Sequence, residues 1–107
     1  MEISREEMEL LGRARFVERI AAMLIESEAV DPATERRIVC IKVAQTLDEA
    51  EEHGIRSERL MGMYVILRLA DDVDPYAVPE YATVLQDPKL AEDDKAHLLQ
   101  MIRLSAI

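Results

Sequence analysis

Apolar residues recur at helical spacing near the start of the chain. Between residues 10 and 24 they alternate at intervals of four and three, which places them on one stripe of a helix. The stripe consists of Leu10, Ala14, Val17, Ala21 and Leu24, widened by Phe16, Ile20 and Met23. The segment Ser4-Arg5-Glu6-Glu7 fits a capping box at the start of this helix. The pattern predicts a helix over residues 5–28.

Proline and glycine mark the limits of a second helix. Asp31-Pro32 combines an N-cap carboxylate with a proline suited to the first helical position. Gly54, after His53, can end a helix in the left-handed conformation. The β-branched run from Ile38 to Ile41 would also suit a strand, but strong helix formers flank it and no second strand could pair with it. We therefore predict one helix between these limits.

A third helix, from Ser57 to Ala70, has almost no polar face and is expected to be the central, most buried element. Gly62 lowers its helix propensity, which would be explained if a neighbouring backbone packed closely there. A short helix over Glu80 to Leu85 and a last one over Glu92 to Leu104 follow. The predicted inner face of the last helix is Leu98, Leu99, Met101 and Ile102.

These elements predict an all-α fold, a compact bundle of about five helices that forms a single domain over residues 1–107. Twenty-two acidic and thirteen basic residues give a formal net charge of −9, which disfavours nucleic acid as a partner. No apolar run is long enough to cross a membrane. The first residues do not resemble a signal peptide, so we expect a cytoplasmic protein.

The sequence offers little catalytic or metal-binding chemistry. His53 is expected to cap a helix and His97 to lie at the rim of the core, while Cys40 is expected to be a small core residue. The aspartates from residue 71 onward fail the calcium-loop pattern, because Ala77 and Thr83 occupy the positions that require glycine and glutamate. We expect no catalytic residues, no metal site and no cofactor; a weak cation site and a carboxylate or histidine enzyme remain minor alternatives.

Charge is concentrated between Asp71 and Asp94, where eight acidic residues stand against one basic residue. Two tyrosines lie in the same stretch, and tyrosine often anchors protein interfaces. An acidic surface with tyrosine anchors would attract and hold a basic protein. The predicted protein-binding residues are Asp71, Asp72, Asp74, Tyr76, Glu80 and Tyr81. The alternative is that the acids only confer solubility and the tyrosines are buried.

Several short motifs in the second half of the chain suggest a relationship. They are Ala50-Glu51-Glu52-His53-Gly54-Ile55, Ser57-Glu58-Arg59, Tyr64-Val65-Ile66-Leu67, Asp74-Pro75, Val84-Leu85-Gln86-Asp87-Pro88-Lys89-Leu90 and Asp94-Lys95. In these motifs residues 47–100 resemble small helical accessory proteins encoded beside type VI secretion effectors in Gram-negative bacteria. The resemblance implies a non-enzymatic adaptor, chaperone or immunity protein whose partner is a secreted effector or toxin.

Self-association is the alternative to such a role. The apolar faces of the first two helices are broad, and the first carries a double stripe that is wider than a monomeric bundle requires. The alternative function is thus a structural homo-oligomer, for example a homodimer, with no dedicated effector partner.

Overall fold

The computed structural model describes residues 5–105, and their side chains from residue 12 onward. These residues form helices and no strands, so the all-α prediction is confirmed. The elements are α1 (Arg5–Glu26), α2 (Arg36–Glu52), α3 (Glu58–Val65) with a π-helical continuation (Ile66–Ala70), α4 (Pro79–Leu85) and α5 (Glu92–Ser105). The predicted capping box and the side chain of Leu10 lie outside this description.

The helices α1 and α2 pack on each other through the apolar stripe that the sequence predicts. Val17, Ile20, Ala21 and Leu24 of α1 are buried, and they form one core with Val39, Val43, Leu47 and Val65. Ala14 and Met23 are exposed, which corrects their assignment to the buried stripe. Cys40 is half-buried at the edge of this core rather than inside it.

The start of α2 is later than predicted. The carboxylate of Asp31 accepts a hydrogen bond from the Ala33 N–H at 2.8 Å, and its carbonyl accepts one from Thr34 at 2.9 Å. Asp31 therefore closes a turn of its own, and the helix begins at Arg36. The predicted end is confirmed, because Gly54 has a φ of +87° and the Ile55 N–H donates to the Ala50 carbonyl at 3.1 Å.

The central position predicted for α3 is confirmed. Ser57 caps it by accepting a hydrogen bond from the Leu60 N–H at 3.2 Å. Five of the following residues are buried: Leu60, Met63, Tyr64, Val65 and Leu67. The expectation for Gly62 is wrong, since no neighbouring backbone or side chain of the described residues, apart from its own helix turn, lies within 4 Å of the place where its Cβ would be. The last turn is π-helical, with the Asp71 N–H donating to the Ile66 carbonyl at 3.3 Å, which the sequence did not indicate.

The second core lies between α3, α4 and α5. It contains Tyr64, Leu67, Tyr81, Leu85 and Leu99 among others, while Leu98 and Ile102 are half-buried. Met101 is 53% exposed, so its predicted place on the inner face of α5 is wrong. The molecule measures 47 × 37 × 18 Å. Because two packed helix axes are separated by about 8–10 Å, its short dimension accommodates about two layers of helices.

Candidate protein-binding surface

The acidic connection between α3 and α4 is fastened at its first residues. The carboxylate of Asp71 accepts two hydrogen bonds from Arg103 of α5, from Nε at 2.6 Å and from Nη2 at 3.0 Å. The hydrogen bond to Asp71 raises the pKa of Arg103, so the guanidinium stays charged. The Val73 N–H donates to the Leu67 carbonyl at 2.9 Å. The connection therefore leaves α3 in a defined direction.

A turn at Asp74 then positions Tyr76. The Asp74 carboxylate accepts a hydrogen bond from the Tyr76 N–H at 3.0 Å, and its carbonyl accepts one from the Ala77 N–H at 3.0 Å. Pro75, between them, is buried. These contacts fix the backbone on both sides of the tyrosine and direct its ring toward the end of α2.

Tyr76 stacks on His53, a partner that the sequence analysis missed. The two ring centroids are 3.9 Å apart and the ring planes differ by 16°. His53 caps α2 through its backbone N–H, which donates to the Glu49 carbonyl at 3.2 Å, while its ring meets the tyrosine. No local pattern could have indicated a contact between residues so far apart in the chain.

Two carboxylates lie near the stacked rings. Burial raises the pKa of the Tyr76 hydroxyl, and the negative charges of Glu92 and Asp74 raise it further. Glu92, at the start of α5, accepts hydrogen bonds from the backbone N–H groups of Arg56 at 2.9 Å and Ser57 at 2.6 Å. We refer to His53, Asp74, Tyr76 and Glu92 as the acidic aromatic surface.

A network of hydrogen bonds next to this surface joins α2 to α3. The Tyr64 ring lies 6.2 Å from Tyr76, and its hydroxyl donates to Glu49 at 3.1 Å. Arg68, on the π-helical turn, donates to both oxygens of the same carboxylate, at 3.2 and 3.3 Å. Burial and the hydrogen bond to Glu49 raise the pKa of Tyr64. Tyr64 therefore remains a neutral hydrogen-bond donor and holds the end of α2 against α3.

The six predicted binding residues differ in how the structure presents them. Asp72, Asp74 and Glu80 are exposed, and Tyr76 is half-buried in the stack. Asp71 is half-buried in its ion pair with Arg103. Tyr81 is only 7% exposed and belongs to the second core, because it lies on the inner side of α4. Its expected role as an exposed anchor is therefore corrected.

The structure also bears on metal binding and membrane insertion. Among the side chains of residues 12–105, no three from His, Cys, Asp or Glu are grouped so that they could hold a metal ion. None of the helices described there combines the length and the apolar character that crossing a bilayer requires. No protein-family model, curated protein or solved structure matches the chain.

Proposed function

We propose that the protein is a non-enzymatic protein-binding accessory that recognises a basic protein surface through the acidic aromatic surface. The observation that carries this proposal is the stack of Tyr76 on His53, with the Asp74 and Glu92 carboxylates close to the tyrosine. The aliphatic stem of a lysine or arginine can pack on such rings while its charged group pairs with a carboxylate. Because hydrogen bonds already fix Tyr76, little further ordering is needed on binding.

The charge of the whole chain supports the same preference. A net charge of −9 attracts a basic partner over a distance of about one Debye length, roughly 8–10 Å at physiological salt. The exposed carboxylates of Asp72 and Glu80, on either side of the Tyr76 turn along the chain, add to this attraction. We expect these charges to affect mainly the association rate and the rings to affect mainly the dissociation rate.

The partner that we propose is a secreted bacterial effector or toxin, bound in the cytoplasm. This part of the proposal is supported by the resemblance of residues 47–100 to accessory proteins of type VI secretion effectors. The resembling motifs include His53-Gly54 and Asp74-Pro75, which bring the two stacked rings together. An adaptor, a chaperone and an immunity protein would all need such a surface.

The test is an affinity purification from the native host at low and high salt, with the bound proteins identified by mass spectrometry. The variant Asp72→Asn/Asp74→Asn removes two charges while keeping the side-chain oxygen that accepts the Tyr76 N–H. Asn also tolerates the positive φ of 52° at position 72. A matched control, Glu26→Gln/Glu35→Gln, removes two exposed charges, one at the end of α1 and one directly before α2, where Glu35 makes no side-chain cap.

One stoichiometric partner should be retained by the wild type and the control, and lost by the Asp72/Asp74 variant and at high salt. The identity of that partner would separate a chaperone from an immunity protein. A partner retained equally by both variants would show that the charges of Asp72 and Asp74 do not recognise it, which contradicts the proposal. Recovery of the protein alone at both salt concentrations would favour self-association.

Self-association is retained as the second candidate because of two exposed isoleucines. Ile38 and Ile41, on the outer side of α2, are 36% and 47% exposed and three residues apart. Most of the broad apolar face that suggested a homo-oligomer is already used in the core between α1 and α2. A mass of one chain by light scattering, at a protein concentration of tens of micromolar, would remove this candidate.

A further inference from the structure

A groove lies on a side of α3 that no other helix in the described part of the chain covers. Gly62, Met63 and Ile66 line its floor, Phe16, Ile20 and Met23 line the wall formed by α1, and Ala96 lies on the wall formed by α5. The groove has a volume of about 550 Å³ and is open to solvent on one side. It exists because α1 packs mainly on α2 and leaves a gap between itself and α5.

The spacing of the lining residues gives the groove its length. The α1 wall uses positions 16, 19, 20 and 23, the floor uses 58, 59, 62, 63 and 66, and the α5 wall uses 96, 100 and 103. Each set follows the i, i+3/i+4, i+7 pattern of one helix face, which covers about two turns or roughly 11 Å. A groove of this form matches the two-turn apolar face that an amphipathic helix presents to its receptor.

Gly62 is the position that keeps the floor open. A Cβ added there would meet nothing within 4 Å, although the residue lies in the middle of the central helix. Glycine in a helix costs about 1 kcal/mol relative to alanine, and no close packing of a neighbouring backbone offsets this cost. Without a side chain at position 62 the groove is deeper, whereas the packing of the helices does not require a glycine there.

The charges around the groove indicate the chemistry of the occupant. Arg19, Arg59 and Arg103 border it together with a single acid, Glu58, in a chain with 22 acidic and 13 basic residues. Arg103 is already held by Asp71, so Arg19 and Arg59 are the arginines that can pair with an occupant. Arg19 pairs with Glu58 at 3.2 Å, but both side chains are about two-thirds exposed. Such surface pairs exchange partners at little cost, typically below about 1 kcal/mol. The rim therefore favours an acidic partner, in contrast to the acidic aromatic surface.

We propose that this groove binds an amphipathic α-helix of a partner protein, in which an apolar stripe is bordered by aspartate and glutamate. The apolar side chains of that helix pack against Phe16 and Ile66, and its carboxylates pair with Arg19 and Arg59. This is a second binding site, separate from the proposed function, and it prefers the opposite charge. It does not depend on Asp72 or Asp74.

The test is a selection of binders from a displayed library of helix-forming peptides against the full-length protein. Selected peptides should carry apolar residues at i, i+4 and i+7 with acidic residues beside them. Gly62→Leu should lower their affinity at least about tenfold, because the leucine occupies the floor, whereas Gly62→Ala should have little effect. Circular dichroism on both variants verifies that the fold is kept.

A second pair of variants tests the charge preference. Arg59→Glu should weaken the selected peptides about tenfold, while Arg37→Glu, an equally drastic change at an exposed arginine of α2 outside the groove, should not. The Asp72→Asn/Asp74→Asn variant should also bind normally, which separates this result from the test of the proposed function.

Three outcomes would overturn the proposal. They are the absence of any binder that is sensitive to Gly62→Leu, the selection of peptides with basic flanks, and equal binding by Arg59→Glu and Arg37→Glu. A fluorescent fatty acid serves as a comparison probe. If it bound the wild type but not Gly62→Leu while no peptide did, the groove would be a site for an apolar anion instead.

Discussion

Glu92 is expected to stabilise the fold by joining the start of α5 to the loop between α2 and α3. Its carboxylate accepts hydrogen bonds from the backbone N–H of Ser57 at 2.6 Å and of Arg56 at 2.9 and 3.2 Å. These donors are 35 and 36 residues away in the chain. A substitution of Glu92 therefore tests a contact between segments that are distant in the chain.

The substitution Glu92→Gln replaces a charged acceptor by a neutral one of similar shape. Hydrogen bonds to a charged group contribute about 1.5–3 kcal/mol each, and neutral ones about 0.5–1.5. The two weakened hydrogen bonds would therefore lower the free energy of unfolding by about 2 kcal/mol together. Because the carboxylate is partly solvated, we expect a smaller loss, about 1–2 kcal/mol. For a domain of this size each kcal/mol lowers Tm by about 4–8 °C.

The loss of stability caused by Glu92→Gln should also depend on pH. Partial burial alone would raise the pKa of Glu92, but the hydrogen bonds from Ser57 and Arg56 outweigh it and lower the pKa. A carboxyl group with a lowered pKa in the folded state stabilises that state fully above its unfolded pKa of about 4.3. The contribution is lost as the pH falls through the folded pKa, so the difference between wild type and Glu92→Gln should shrink below about pH 4.3.

Urea unfolding followed by circular dichroism, at neutral and at acidic pH, measures both effects. The control is Asp93→Asn, which removes an exposed charge from the same first turn of α5 and should cost only the helix-dipole contribution of about 0.3–1 kcal/mol. The reasoning is refuted if Glu92→Gln costs no more than Asp93→Asn at neutral pH. It is equally refuted if the difference between wild type and Glu92→Gln is unchanged in acid.

Three further substitutions and one control, Leu104→Ala, test other parts of the fold by denaturant unfolding. Gly54→Ala should destabilise by about 1–2 kcal/mol, because position 54 has a φ of +87°; an unchanged midpoint would contradict the left-handed turn. Leu99→Ala should cost about 2–5 kcal/mol at a fully buried site, whereas Leu104→Ala, at 56% exposure on the same helix, should stay within about 0.5 kcal/mol. Gly62→Ala should stabilise by about 0.5–1 kcal/mol if the floor of the groove is open, and a loss of stability would argue against that space.

The parts of the fold that the sequence predicted are those determined by local chemistry. Ser57 at the start of α3 and Gly54 after α2 act within a few residues of their own position. Asp31 shows the limit of such signals, because an aspartate before proline can cap a helix or close a turn. Here the turn prevails and α2 begins at Arg36.

The surfaces were harder to predict because they combine distant segments. Tyr76, in the connection after α3, stacks on His53 at the end of α2, and the groove takes residues from α1, α3 and α5. Periodicity shows that Met63 and Ile66 are apolar but not that one side of their helix is left open. That opening arises because α1 packs mainly on α2 rather than on α5.

The acidic segment shows why charge density along a chain is an incomplete guide to a binding surface. Four of its eight acids have roles within the fold. Asp71 pairs with Arg103, Asp74 and Asp87 each accept a backbone N–H two residues ahead, and Glu92 holds the loop before α3. Such positions would be acidic in a protein with no partner at all. Substitutions that test binding should therefore conserve these hydrogen bonds, as Asp74→Asn does, because otherwise a lost partner could not be distinguished from a disturbed fold.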